Sequence, residues 1–187
     1  MAGKVFGLFF FIFSCSISSY GQQPTEAALV AKLFSALQQQ DFDPYEKLYA
    51  NSDSLSSWIM QYADVSSESY QKMDFVKNNP AAKEEYDTII RREIYANLDT
   101  FLDKAKILGI HWKETVFMRY ELDKIRRGRG LMIEKVAPLR FLGYIFFRDN
   151  ATRKAYGLTV YDLIQVNGKW YGGELGNVFP AENKVQY

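Results

Sequence analysis

Cysteine and histidine are nearly missing from this chain of 187 residues: there is one of each, Cys15 and His111. Zinc sites of the usual kind draw on several such side chains, so no metal is expected. A Ser-His pair would have to use His111, and Cys15 lies in a leading segment expected to be removed, so Cys-His catalysis is excluded from the mature domain. A charge excess of either sign is absent too, with 23 basic residues against 22 acidic. Lys4 is the only charged residue among the first 21, so the remainder balances to zero. Nucleic-acid binding needs a basic footprint, and none is present. Nor is there an apolar run of the roughly 20 residues that cross a bilayer; the longest, Val5 to Ile17, is shorter.

What is present begins with that run. A single positive charge ahead of a short apolar stretch has the shape of a secretory signal. Ser19 and Gly21 put small side chains before a cut at Gln22, so residues 1–21 are read as a signal peptide and 22–187 as one domain. The alternative is a lipoprotein signal with Cys15 acylated. Both lead to export, periplasmic or extracellular, with no transmembrane span in the mature chain. Without disulfides the domain must be held by its apolar core, and its length suffices for one.

The mature chain divides into a helical half and a strand half. Leu29, Leu33 and Leu37, with Val30 and Phe34 beside them, make a helical stripe over Thr25–Gln40. Short helices are expected after Asp43-Pro44, around Trp58–Tyr62, and over Glu68–Val76. A long amphipathic helix starts at Asn79-Pro80, a cap followed by a first-turn proline, and is closed by Gly109. Alternation from Trp112 to Leu122 then gives a half-buried strand. A central strand over about Val136–Arg148 follows a turn or loop at Arg126–Gly130, and the stretch Tyr156–Leu175 reads as a hairpin about Asn167-Gly168. The chain from Asn177 onward is expected to be irregular.

Helices followed by four antiparallel strands, the last pair closed by "NGKW", resemble the nuclear-transport-factor-2-like (cystatin-like) superfamily. The pieces that carry the likeness are "VYDLIQVNGKWYGGEL" and "LGIHWKETVFMRYEL", the second being similar to exported bacterial proteins of this type. The resemblance implies an α+β fold in which N-terminal helices pack on a curved four-stranded antiparallel sheet to form a cone. It implies no single activity, because members include isomerases, dehydratases, transport adaptors and association modules.

The hairpin register turns this into candidate sites. Counting back from the turn pairs Ile164 with Tyr171, Asp162 with Gly173, and Val160 with Leu175. Strict alternation then sets Tyr156, Leu158, Val160, Asp162 and Ile164 on the core side, with Tyr161, Leu163 and Trp170 outside. Asp162 would point into the cone, where Tyr144, Tyr156 or Tyr120 could bring a hydroxyl. Asp162 as general base is the enzymatic reading. The structural one pairs it with Arg140 or Arg119, since a buried carboxylate without a partner costs several kcal/mol. Asp162, Tyr144, Tyr156 and Arg140 are thus the candidate ligand-binding set. Trp170, Tyr161 and Leu163 form a candidate interaction face, through which the chain would dimerise. Arg126, Arg127 and Arg129 make a basic loop suited to anionic groups. The leading expectation is a non-enzymatic ligand-binding or accessory module of the cell envelope, needing no cofactor. Its partner would be a small molecule or an envelope protein.

Overall fold

A computed structural model describes residues 25–124, 139–166 and 168–183. Five helices lead: α1 (Glu26–Gln39), α2 (Phe42–Glu46), α3 (Ser52–Tyr62), α4 (Glu68–Asn78) and α5 (Pro80–Ile107). Each begins at a side chain that accepts from an otherwise unpaired first-turn amide, namely Thr25, Asp41, Asn51, Ser67 and Asn79. Asn51 and Ser52 therefore open α3, one turn and more ahead of the start expected at Trp58. Past α5, Gly109 adopts φ 70°, the left-handed geometry that releases the chain from a helix. No helix among the described residues is long and apolar enough to cross a membrane.

A single 3₁₀ turn over Trp112–Glu114 replaces the first residues of the strand expected from Trp112. The strands are β1 (Thr115–Lys124), β2 (Leu139–Asp149), β3 (Ala155–Val166), β4 (Lys169–Tyr171) and β5 (Glu174–Pro180). All neighbours run antiparallel in the order β1-β2-β3, and β4 and β5 both lie along β3 as one broken strand interrupted at Gly172-Gly173. The sheet is thus four strands wide and curved, and the fold is α+β and cone-like. The chain beyond Asn177 is not irregular: β5 continues to Pro180, with Phe179 opposite Gly157.

Register shifts break the ladders at Phe117/Arg119 in β1, between Val160 and Leu163 in β3, and opposite Thr159 on β5. Such bulges bend and coil a sheet, which gives this one its concave side. That side is filled. Leu33 and Leu37 of α1, Tyr45 of α2, Leu98 and Phe101 of α5, Trp112, and Ile145, Phe147, Leu158 and Val160 of the sheet belong to one buried cluster. Trp112 lies 5.1 Å from Phe147, and Tyr156 stacks on Phe147 at 5.7 Å between ring centroids. A second, smaller cluster joins Trp58 of α3 and Ala50 to Val166 and Tyr171 at the far end of the hairpin.

Candidate functional site

The hairpin register is as expected: Ile164 faces Tyr171, Val160 faces Leu175, and Val166 faces Lys169 across the two-residue turn. Alternation, however, fails at Asp162. Opposite Leu142 of β2, strand β3 carries two residues, Tyr161 and Asp162, and Asp162 has φ 55°. Aspartate is one of the few side chains that take the left-handed region at modest cost, which accounts for a carboxylate in an otherwise apolar strand. Its cross-strand neighbour is glycine for a related reason. A Cβ on Gly173 would sit 1.9 Å from the Tyr161 carbonyl oxygen and 2.7 Å from Leu163 N, both backbone atoms.

The extra residue swaps the faces of the strand beyond it. Tyr156, Leu158 and Val160 face the core before the bulge, and Leu163 faces it afterwards. Leu163 is 1% exposed and Trp170 7%, and Trp170 packs on Phe141 at 4.8 Å. The outer-face patch expected from Trp170, Tyr161 and Leu163 is therefore not formed: two of its members are core residues. Tyr161 alone stays exposed, its ring lying over Gly176.

The proposed ligand set also disperses. Tyr156 is part of the core stack on Phe147. Tyr144 alternates with the core residues Ile145 and Phe147, so it is buried on the opposite side of the sheet, level with Glu121 and Thr159. On that side Arg119 lies 3.9 Å from the Phe146 ring centroid and bonds Glu121 at 3.2 Å. Arg140 pairs through its backbone with Ile164, while its side chain is outside the described residues, as are Arg126, Arg127, Arg129, Cys15 and the signal segment. Asp162 does not line the pocket described next.

That pocket, of about 540 Å³, opens between the α2–α3 connection, α5 and the β3–β4 end of the sheet. One stripe of α5 supplies Tyr86, Ile90, Glu93, Ile94 and Asn97, spaced at three and four residues so that all project the same way. Leu55 and Ile164 close the opposite wall, and Tyr49 and Glu174 complete it. A hydrogen-bond network lies at its base. Asn97 accepts from Leu175 N at 2.9 Å and donates to Leu175 O at 2.9 Å, so an amide side chain ties the free edge of β5 to the long helix. The hydroxyls of Tyr45 and Tyr49 bond each other, and Tyr49 donates to Gly173 O at 2.6 Å. Tyr45 also reaches Asn97 Oδ1 at 3.1 Å, and Gly172 N donates to Leu48 O at 2.7 Å. Burial pushes both phenols far above their ordinary pKa, with the nearby negative charge of Glu174 adding to the effect. They stay neutral hydroxyls, suited to bonding and not to proton abstraction.

His111 has an acid partner that its sequence neighbourhood concealed. Asp149, fully buried at the end of β2, accepts from His111 N and Nδ1 at 3.1 Å each and from Ala151 N at 2.8 Å. Burial alone would raise its pKa, yet these bonds, with one from Thr152 N, outweigh burial and hold the carboxyl below its usual range. The group ties the β2–β3 turn to the start of the sheet. Among the described residues no three His, Cys, Asp or Glu side chains are grouped closely enough to hold a metal ion.

Asn97 and Asp149 are polar residues that tie the structure together and that the sequence pattern does not single out. Asn97 did leave a signal, as an amide set between Ile94, Leu98 and Phe101 on the buried stripe of α5. Asp149 left none beyond its place in the loop "DNATRK". No protein-family model matches this chain, and no match was found among curated proteins or solved structures.

Proposed function

We propose that this chain is a non-enzymatic ligand-binding or accessory module of the cell envelope, a nuclear-transport-factor-2-like domain exported by means of residues 1–21. The reading rests on one observation, the pocket of about 540 Å³ beside α5. Its size falls in the range that holds a small organic molecule, and its walls are mainly hydrocarbon and aromatic. The polar groups at its base are already spent on protein structure. Tyr49 donates to Gly173 O and Asn97 is bonded twice to Leu175, so neither is poised to move a proton. Asp162 as general base has less in its favour, because its left-handed backbone explains its presence without chemistry. The dimerising face loses support as well, since Trp170 and Leu163 sit in the core.

Native mass spectrometry of the secreted protein, purified without detergent, tests the proposal together with a thermal-shift screen. A retained small molecule, or a ligand-dependent rise in Tm, is the expected outcome. A protein that emerges empty and answers to no compound class would count against a binding role. Detection of the chain with residues 1–21 still attached inside the cell would count against export.

A further inference from the structure

Resting on that reading of the pocket as a ligand site, we infer that its ligand is an organic cation with an apolar body, of the alkylammonium type. Among the described residues two charged side chains line the pocket, Glu93 of α5 and Glu174 at the start of β5, and both are acidic. Both are exposed, and neither has a basic partner within 4 Å among the described residues. Other carboxylates nearby are matched: Asp53 with Lys83 at 2.6 Å, and Glu46 with Arg91 at 3.3 Å. Leaving these two unmatched beside an apolar wall gives the mouth a negative potential over a surface that prefers hydrocarbon.

Position adds a direction. Glu93 and Glu174 also line a neighbouring cavity of about 480 Å³, which runs on along α5 past Thr100 to Lys104. The two cavities thus meet at the carboxylates. Lys104 repels a cation from the far cavity, while Ile90, Ile94, Leu55 and Ile164 draw an apolar body into the near one. The head group therefore sits at the Glu93–Glu174 junction with its tail toward Tyr86. Tyr49, whose phenol lies within reach of the Glu174 charge, puts an aromatic ring near the head group, the type of surface that favours ammonium groups.

Octyltrimethylammonium, octyl glucoside and octyl sulfate, each below its micelle concentration, separate charge from chain length by calorimetric titration of the full secreted chain. The cation should bind about tenfold or more tightly than the neutral probe, and the anion weakest. The double variant Glu93→Gln/Glu174→Gln changes two solvent-exposed side chains and should fold normally, with an unchanged Tm. It should lose the cation preference and bind the cation and glucoside alike. Equal binding of all three probes, or a preference that survives the double variant, would overturn the cationic ligand while leaving a binding pocket standing. Failure of every probe to bind would overturn both this inference and the binding role beneath it. High salt should shrink the preference, since exposed carboxylates are screened over a Debye length of roughly 8 Å at physiological ionic strength.

Discussion

The two halves of β3 are held by different physics. Ala155 to Val160 is a regular strand whose entry is fixed by charge: the buried Asp149 gathers the amides of the preceding turn and His111. Leu163 to Val166 is fixed by shape. Its register is the one the Asn-Gly turn dictates, but its faces are exchanged by the extra residue at Tyr161-Asp162. The first half therefore continues the aromatic core under the sheet, and the second turns Ile164 toward the pocket beside α5. The pocket lies where the regular pattern is broken, because the break faces an apolar strand surface toward a helix that does not cover it.

The largest expected effect comes from adding one carbon where shape is decisive. Gly173→Ala should cost more than ~3 kcal/mol, since backbone atoms on both sides of the clash cannot rotate away. Gly172→Ala is the control. Its Cβ would meet the Leu48 side chain at 3.3 Å, a contact that small shifts relieve, and should cost under ~1 kcal/mol. Urea midpoints of the two variants give the comparison directly. If the adjacent glycines prove equally sensitive, the bulge is not the fixed point of the hairpin.

Next in size is Asn97→Ala. It strips two bonds from the buried backbone of Leu175 and leaves a donor and an acceptor without protein partners. A loss of ~2–3 kcal/mol is expected, with hydrogen exchange rising along β5 before β2. Asp162 follows. Asp162→Val forces a β-branched residue into the left-handed region and should lose ~1–2 kcal/mol. Asp162→Gly takes the left-handed region without strain and should lose less than the valine variant. Should Asp162→Gly instead destabilise as strongly as valine, the carboxylate, and not the backbone, is what the position requires.

Much of this architecture was legible beforehand, and the exceptions share a cause. The Asn79-Pro80 start, Gly109 and the hairpin register depend on neighbours within a few residues, so local rules suffice. The bulge is different: whether β3 carries one residue or two opposite Leu142 is decided by β2, which sequence alternation cannot see. A single inserted residue then reassigned Leu163 and Trp170 to the core, and took away the strict alternation from which the inward carboxylate at Asp162 is expected. The partner of His111 was hidden for the same reason, lying 38 residues away across the sheet. Asn97 is a clue of the local kind, since an amide on a buried stripe must bond something.

The smallest expected effect tests the charged half of the comparison. Asp149 has a folded-state pKa below its unfolded value, so its contribution to stability is complete above the unfolded carboxylate pKa of roughly 3.9. It is lost as pH falls through the lower folded value, because both carboxylate oxygens are acceptors, Oδ2 for the His111 amide and Oδ1 for the Ala151 amide, and protonating either weakens one of these bonds. Asp149→Asn keeps one acceptor oxygen but not the charge. The variant should be less stable at pH 7, and the gap to the parent chain should close as both are taken down toward pH 3. A gap for Asp149→Asn that stays constant with pH would mean that geometry, not charge, holds the entry to β3, and the two halves of the strand would then rest on the same footing.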